Sequence, residues 1–327
     1  MSRLRTRATA LTGSLAAVTT LAGCGLGTAG GFVPSGELAG PVADVEPLDG
    51  ASVAVGSKNF SEQLLLGKMA VILLKSAGAD ATDLTNIPGS ASARQAQLEG
   101  QVGIAWEYTG TAWISYLGHE QGIPDEEKQY EAVRDEDLDK NHLVWLPPAP
   151  MNNTYGFATT AETAEKLGVE KLSDIADLPV AERTFCVESE FANRNDGLEP
   201  MLETYDIPLE SEVPRRNLKT LDTGAIYAAT ANGECNFGEI FTTDGRIKAL
   251  DLKVLEDDRR FFPAYNVSVV VREELMDEHP QIEQLFAPVA AELTDEVLIE
   301  LNAQIDVEGR EPADVAFEWL QEKGFVE

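Results

Sequence analysis

Two polar segments that each follow a strand-like run carry the residues best suited to hold a small ligand. Residues 56–63 read Gly-Ser-Lys-Asn-Phe-Ser-Glu-Gln, and residues 106–111 read Trp-Glu-Tyr-Thr-Gly-Thr. Loops that follow the strands of a parallel sheet lie at the edge where ligands bind. We therefore expect Lys58, Tyr108 and Thr111 to face one crevice, with Tyr108 on a tight exposed turn. A solvated surface lysine is the alternative for Lys58, and Ser61 fits the N-cap of the next helix.

No catalytic or metal-binding pattern accompanies these segments. The histidines are scattered and lack the spacing of metal ligands. The sequence contains no GxSxG, phosphate-binding or dinucleotide-binding fingerprint. The acidic residues between Asp125 and Asp137 lack the order of a calcium loop and are expected to form a solvated helix face. We expect no catalysis, no metal and no cofactor.

The charge of the chain excludes one class of partner. Its 25 Lys and Arg residues and 56 Asp and Glu residues give a net charge of −31. Such a charge repels nucleic acid and anionic membrane surfaces, so nucleic-acid binding is excluded. With 327 residues, 43% of them hydrophobic, the chain is long enough for two domains. We expect a monomer.

Strand and helix patterns alternate along the chain, which favours a parallel sheet covered by helices on both faces. The first half predicts strands at 52–55, 84–87 and 102–106, with helices at 61–77 and 92–99. The second half predicts strands at 184–187 and 236–241, with helices at 198–205 and 224–232. A strand at 268–271 precedes three amphipathic helices, at 279–293, 295–304 and 312–323. The chain is therefore predicted to form two α/β lobes.

The N-terminus has the features of an export signal. Arg3, Arg5 and Arg7 precede an apolar run that is too short to span a bilayer. The run ends in Leu-Ala-Gly-Cys at residues 21–24, which resembles the lipobox of bacterial lipoproteins. We expect residues 1–23 to be a signal peptide, Cys24 to carry a lipid, and the protein to lie on the outer face of the cell membrane. An ordinary buried thiol is the alternative for Cys24.

Two further inferences depend on export. Residues 24–50 are rich in Gly, Pro and small residues, which predicts a flexible tether between the lipid and the folded body. An oxidising compartment makes Cys186 and Cys235 candidates for one disulfide, with two free buried thiols as the alternative.

Several blocks in a fixed order resemble a known family. The two polar segments are followed by NNTYGFA, FANRNDG, FTTDGRI and FFPAYNVSVVVR. Together they resemble the substrate-binding proteins of osmoprotectant ABC importers, which bind glycine betaine, choline or carnitine. The resemblance runs from about Val53 to the C-terminus. It implies an α/β, two-lobed periplasmic binding protein fold, type II-like, with chain crossings near residues 150 and 261. Lobe 1 would comprise 51–150 plus 262–327, and lobe 2 would comprise 151–261.

The resemblance also implies where a quaternary ammonium would bind. In the family, aromatic side chains from both lobes surround the trimethylammonium group, and the matching positions here are Tyr108, Tyr155, Phe241 and Tyr265. A quaternary ammonium has no hydrogen to donate, so electron-rich ring faces suit it at roughly 0.5 to 2 kcal/mol each. Taken singly, an aromatic residue in a strand more often packs in the core.

The carboxylate of a betaine would need cationic partners, and the positions that resemble the family's are Lys58 and Arg194, with Thr111 as a hydroxyl partner. We also expect Asn153 to be a polar contact of the ligand. Two cations in one crevice would locally reverse the sign of this acidic chain. The sequence departs from the family pattern twice. Phe241 stands where a tyrosine is expected, and Asn153 stands where many members have aspartate. The missing carboxylate favours a zwitterion over a bare cation such as choline.

We therefore expect an extracytoplasmic solute-binding protein that delivers a small quaternary-ammonium ligand to an ABC permease with its ATPase subunit. Glycine betaine is the first candidate, followed by choline, carnitine and proline betaine. The alternatives are a binder or sensor for another zwitterion, such as an amino acid, and an enzyme built on the same fold.

Overall fold

The computed structural model describes residues 32–327, in which ten strands form two sheets of five. The strands are β1 (Ser52–Lys58), β2 (Asp80–Ile87), β3 (Ile104–Tyr108), β4 (Leu143–Trp145), β5 (Tyr155–Thr160), β6 (Phe185–Val187), β7 (Leu218–Thr220), β8 (Phe237–Phe241), β9 (Leu252–Val254) and β10 (Val267–Arg272).

Helices cover both sheets. They are α1 (Ser61–Ser76), α2 (Ser90–Leu98), α3 (Thr109–Thr111), α4 (Glu126–Asn141), α5 (Ala161–Leu167), α6 (Ser189–Asn193), α7 (Leu198–Thr204), α8 (Thr223–Ala231), α9 (Arg246–Ala249), α10 (Glu273–Glu278), α11 (Gln281–Ala291), α12 (Asp295–Asp306) and α13 (Pro312–Glu322). The short helix α3 continues into a π-helical turn, Ala112–Tyr116. Short 3₁₀ helices lie at Gly40–Val42, Leu172–Asp177, Val180–Glu182 and Arg215–Asn217.

The two sheets share one topology. The first has the strand order β2-β1-β3-β10-β4, and the second has the order β7-β6-β8-β5-β9. In the first, β1 runs parallel to β2 and β3, and β10 runs antiparallel to β3 and β4. In the second, β6 runs parallel to β7 and β8, and β5 runs antiparallel to β8 and β9. The prediction of two α/β lobes is confirmed. The expectation of a parallel sheet is wrong, because β10 in the first sheet and β5 in the second run antiparallel to both of their neighbours.

The chain passes between the sheets twice, once between β4 and β5 and once between β9 and β10. The two connections pair through an antiparallel bridge between Asn152 and Asn266. Asn152 Oδ1 accepts a hydrogen bond from the Tyr265 N–H at 2.7 Å, and Asn266 Nδ2 donates to the Met151 carbonyl at 3.0 Å. The predicted boundaries near 150 and 261 lie inside these connections and stay predictions at the level of single residues.

The first lobe contains the larger core. Helix α1 carries a long apolar run, and its residues from Leu65 to Leu74 are buried, as expected for a helix that is hydrophobic on all sides. Helices α11, α12 and α13 return from the second lobe and pack into the same core through side chains such as Phe286, Leu298 and Trp319. None of the helices within residues 32–327 is both long and apolar enough to cross a bilayer.

The segment before β1 packs against the first lobe. Val33, Val42 and Leu48 are buried, and Leu38 forms a bridge with Val326 near the C-terminus. The prediction of a flexible tether over 24–50 is therefore wrong for residues 33–50. Gly and Pro interrupt regular secondary structure, but the Val and Leu residues between them still find apolar partners. The predicted signal peptide and the lipid on Cys24 lie outside the described residues.

The structure bears on two more predictions, the solvated acidic face of α4 and the disulfide. The acids on α4 are mostly exposed, but Asp137 is buried, where it accepts hydrogen bonds from Arg94 Nη1 at 3.0 Å and from Trp145 Nε1 at 2.7 Å. The expected solvated face is wrong at that position. In the second lobe, a disulfide joins Cys186 in β6 to Cys235, just before β8.

Candidate ligand-binding site

A cavity of about 360 Å³ lies between the lobes, where the ends of β1, β2 and β3 face those of β5, β6 and β8. This volume is at the lower end of the range for small-molecule sites, roughly 300 to 1,000 Å³. The structure brings all eight predicted ligand contacts together in its lining: Lys58, Tyr108, Thr111, Asn153, Tyr155, Arg194, Phe241 and Tyr265. Their roles toward a ligand stay predictions.

Five rings form a continuous aromatic wall, which we call the aromatic cage: Phe60, Tyr108, Tyr155, Phe241 and Tyr265. In order around the wall, neighbouring ring centroids lie 6.2 Å apart for Tyr108 and Phe60, 5.3 Å for Phe60 and Phe241, 5.3 Å for Phe241 and Tyr155, and 5.5 Å for Tyr155 and Tyr265. Strand register explains part of this wall, since Tyr155 at the start of β5 pairs directly with Phe241 at the end of β8.

Phe60 is the ring that the sequence analysis missed. It lies in the first polar segment, where the loop between β1 and α1 enters the cavity, and it links Tyr108 of lobe 1 to Phe241 of lobe 2. Phe60 also occupies the N-cap position of α1, which the sequence analysis assigned to Ser61. The Ser61 hydroxyl instead donates to Asp306 Oδ1 on α12 at 2.5 Å. The position of Phe60 at a strand-to-helix junction is the sequence feature that could have identified it.

Gly110 allows close packing of Tyr265 and does not lie in an exposed turn. Residues Thr109–Thr111 are helical and buried, so the exposed turn expected beside Tyr108 is wrong. A Cβ on Gly110 would lie 2.7 Å from Cδ1 of Tyr265 and 2.6 Å from the Ala264 carbonyl oxygen. The glycine therefore lets the Tyr265 ring reach the cage.

Both predicted cations have carboxylate partners inside the protein. The Lys58 ammonium lies 2.5 Å from Glu107 Oε1. The Arg194 guanidinium donates to Asp196 through Nε at 2.7 Å and through Nη2 at 2.6 Å, and through Nη1 to Glu190 Oε1 at 3.3 Å. A buried cation needs such a counterion, because an unpaired charge out of water is costly. The expected local reversal of sign is therefore wrong.

Unused donors remain on both cations. An ammonium group has three N–H bonds and a guanidinium has five. Lys58 uses one on Glu107, and Arg194 uses three on Asp196 and Glu190. Two N–H bonds on each cation thus have no partner among residues 32–327. The cations also lie close to cage rings, with Lys58 Nζ 4.8 Å from the Tyr108 centroid and Arg194 Cζ 5.4 Å from the Tyr155 centroid.

Two cage tyrosines donate hydrogen bonds to carboxylates. Tyr108 donates to Glu62 Oε1 at 2.7 Å, and Tyr265 donates to Asp196 Oδ2 at 2.6 Å. Burial, together with the neighbouring negative charge, raises the pKa of both tyrosines well above the usual value, so both stay protonated. No local sequence pattern predicts these carboxylate partners.

Acidic residues from lobe 2 complete the lining. Glu188 and Glu190 follow β6, and Glu190 Oε2 accepts a hydrogen bond across the cleft from the Ser90 N–H at 3.0 Å. Burial acts to raise the pKa of Glu190, but hydrogen bonds from Ser90 and the charges on Lys58 and Arg194 hold it below its usual value. The two lobes are thus joined at the mouth of the cavity by an ionised carboxylate at the N-terminus of α2.

A second set of contacts joins the lobes on the far side of the cage. Arg246 on α9 lies 3.4 Å from Asp306 on α12. Gly245 packs so closely on α12 that a Cβ there would lie 2.6 Å from the Ala303 Cα. These contacts and the Glu190 hydrogen bond describe a closed arrangement of the two lobes.

Two α/β lobes with two chain crossings and a ligand-sized cleft define a two-lobed, periplasmic-binding-protein type of solute-binding protein. Residues 51–322 match the family described as the substrate binding domain of ABC-type glycine betaine transport system, and the chain belongs to this family. The predicted family and fold class are thereby confirmed. Members of this family are substrate-binding components of transport systems.

The chain is similar to several characterised relatives. It is 38% identical over 279 residues to a glycine-betaine-binding protein of Pseudomonas aeruginosa, which covers 83% of this chain and 88% of the relative. It is 33% identical over 286 residues to the glycine betaine-binding protein YehZ of Escherichia coli, which covers 86% of this chain and 93% of YehZ. A solved glycine betaine/carnitine/choline ABC transporter protein superposes with a TM-score of 0.67 at 28% identity, covering 83% of this chain and 98% of that one.

Proposed function

We propose that this chain captures a small quaternary-ammonium compound, glycine betaine first, between its lobes and delivers it to an ABC permease. The aromatic cage carries this proposal, because five rings from both lobes line one cavity of about 360 Å³. A trimethylammonium group offers methyl groups and a diffuse charge but no N–H donor, so it gains most from ring faces. The names of the similar proteins point to the same class of ligand.

The polar side of the cavity favours a ligand that also carries a carboxylate. Lys58 and Arg194 each keep two N–H bonds beyond those given to their internal partners. Glycine betaine separates its two charges by one methylene group, so a head among the rings would place its carboxylate within reach of a neighbouring lining residue. Thr111 and Asn153 also line the cavity and are proposed as further polar contacts.

The N-terminal sequence supports a proposal for location. Export, cleavage before Cys24 and lipidation of that cysteine would anchor the protein on the outer face of the membrane, next to a permease whose ATPase subunit supplies the energy. Radiolabelled palmitate incorporation into the wild-type chain, and its absence from Cys24→Ala, is the measurement that supports this arrangement.

The cage is tested by removing one ring at a time. We expect Tyr108→Ala and Tyr155→Ala each to weaken glycine betaine binding by about ten-fold or more, since one ring contributes roughly 0.5 to 2 kcal/mol and ten-fold is about 1.4 kcal/mol. Isothermal calorimetry measures the affinity, and circular dichroism checks the fold. Phe262→Ala is the matched control, because its centroid lies 6.3 Å from the Tyr155 centroid but it does not line the cavity.

Two results would contradict the proposal. One is unchanged affinity in both tyrosine variants. The other is a thermal-shift screen in which an amino acid stabilises the wild-type protein while glycine betaine, choline, carnitine and proline betaine do not.

A further inference from the structure

Glu62 lies directly behind the cage without lining its cavity. It belongs to the first turn of α1 and is buried. Its carboxylate accepts four hydrogen bonds, from Tyr108 Oη at 2.7 Å, Asn153 Nδ2 at 2.9 Å, Thr243 Oγ1 at 2.5 Å and Asn302 Nδ2 at 3.1 Å. Thr243 belongs to lobe 2, so these bonds join the Tyr108 ring, the first chain crossing and both lobes.

The hydrogen bonds fit an ionised carboxylate. The amide nitrogens of Asn153 and Asn302 can only donate, and each of the two carboxylate oxygens receives one of them together with one hydroxyl. Burial raises the pKa of Glu62 above its usual value, and the four donors act against that shift. All four of these partners are neutral.

The absence of a counterion sets Glu62 apart from the carboxylates that pair with the two cations of the cavity. Glu107 is paired with Lys58, and Asp196 is paired with Arg194. Glu62 has no basic side chain within ion-pair distance in the part of the chain that the structure describes, residues 32–327. A buried carboxylate without a counterion is costly, and a cation held nearby offsets that cost.

The hydrogen bond from Tyr108 allows the charge on Glu62 to polarise a ring that lines the cavity. A phenol that donates to a carboxylate becomes richer in π electrons, and a low local dielectric strengthens the effect. Attraction of a cation to a ring face depends on that electron density. We propose that Glu62 is a positioning residue that, by accepting a hydrogen bond from the Tyr108 hydroxyl, sets the preference of the site for a cationic head over a neutral head of the same shape. This inference rests on the proposed function.

A pair of ligands of equal shape isolates the contribution of charge. In 3,3-dimethylbutyrate, a neutral carbon replaces the nitrogen of glycine betaine, while the three methyl groups and the carboxylate are kept. Calorimetry gives the affinity for glycine betaine, and displacement of glycine betaine gives the affinity for the neutral analogue. The measured quantity is the ratio of the affinity for glycine betaine to the affinity for the neutral analogue. A loss of packing or of lobe closure weakens both ligands alike and leaves this ratio unchanged.

We expect Glu62→Gln to lower this ratio by about ten-fold, and Tyr108→Phe, which keeps the ring, to lower it by about three-fold. The double variant should show no lower ratio than Glu62→Gln alone, because both changes act through one hydroxyl contact. Thr243→Val is the matched control. It removes one hydrogen bond to Glu62 but leaves the charge and the Tyr108 contact, so it should weaken both ligands equally.

The possible results separate the two proposals. Wild-type protein that binds no quaternary ammonium refutes the proposed function and this inference with it. Wild-type binding with a ratio that stays constant in Glu62→Gln and Tyr108→Phe refutes the inference alone, as does a double variant whose losses add. If Glu62→Gln does not fold, Tyr108→Phe decides: a ratio equal to that of the wild type overturns the inference.

Discussion

Replacing Glu239 tests the electrostatics of the second lobe through the pH dependence of the protein's stability. This residue lies in β8 behind the cavity and is 3% exposed. Its Oε2 accepts a hydrogen bond from the Glu188 N–H at 2.7 Å. Burial raises the pKa of Glu239 to about 8, and the charge on Glu188 contributes to the shift. The perturbation is Glu239→Gln, which keeps an oxygen acceptor for the Glu188 N–H and does not titrate.

The sign of the effect follows from proton binding. Between an unfolded pKa of 4.5 and a folded pKa of about 8, the native state holds a proton that the unfolded state has lost. The contribution of Glu239 to stability is therefore fully present below pH 4.5 and is lost as the pH rises through about 8. The window spans about 3.5 pH units, and about 1.4 kcal/mol per unit gives a loss of about 5 kcal/mol.

Urea unfolding of the ligand-free protein at several pH values between 5 and 9 measures this loss. We expect the free energy of unfolding of Glu239→Gln to exceed that of the wild type by a margin that grows with pH and levels off above pH 8. Glu162→Gln is the control, since Glu162 is exposed in the same lobe and its replacement should give no such margin. A difference between wild type and Glu239→Gln that stays constant over the whole pH range would refute the reasoning.

Two further predictions concern ligand charge and lobe closure. Arg194→Ala alone would leave Asp196 without its counterion, so the change is made in an Asp196→Asn background. There we expect calorimetry to show about ten-fold more loss of affinity for glycine betaine than for choline. Equal losses would contradict a role of Arg194 in binding the carboxylate. Gly245→Val would push side-chain atoms into the backbone at Ala303, so we expect glycine betaine to cause no compaction in small-angle scattering. Ala249→Val changes an exposed residue of α9 and should still become more compact on adding glycine betaine. Compaction of both variants would contradict the contact between Gly245 and Ala303.

The parts of the site that could be predicted are those encoded by local sequence. Lys58 and Tyr108 are the last residues of β1 and β3, Arg194 follows β6 directly after the short helix α6, and strand ends of one sheet converge on one edge. Strand and helix periodicity placed α1 within one residue of its observed end and located the three C-terminal helices. Local patterns sufficed because the position along an element determines which edge a loop residue reaches.

The partners of these residues could not be predicted in the same way. Glu107 lies 49 residues from Lys58 in sequence, and Thr243 lies 181 residues from Glu62. No local pattern encodes such distances, since they depend on how the sheets and crossings pack. The sequence therefore predicted free cations, whereas the fold supplies the counterions that their burial requires. The same limit hid the approach of Tyr265 to Gly110.

Asn153 shows how a partner changes the meaning of a residue. From the sequence, an asparagine in place of aspartate suggested weaker attraction for a cation. In the structure, Asn153 Nδ2 donates to Glu62 Oε1 at 2.9 Å. An aspartate there would place two carboxylates in contact, and one of them would take up a proton, because like charges at that distance cannot both ionise at neutral pH. With either residue at position 153, the groups behind Tyr108 carry at most one negative charge at neutral pH. The departure at Asn153 therefore gives no reason to prefer a zwitterion, and any such preference depends on the unused donors of Lys58 and Arg194.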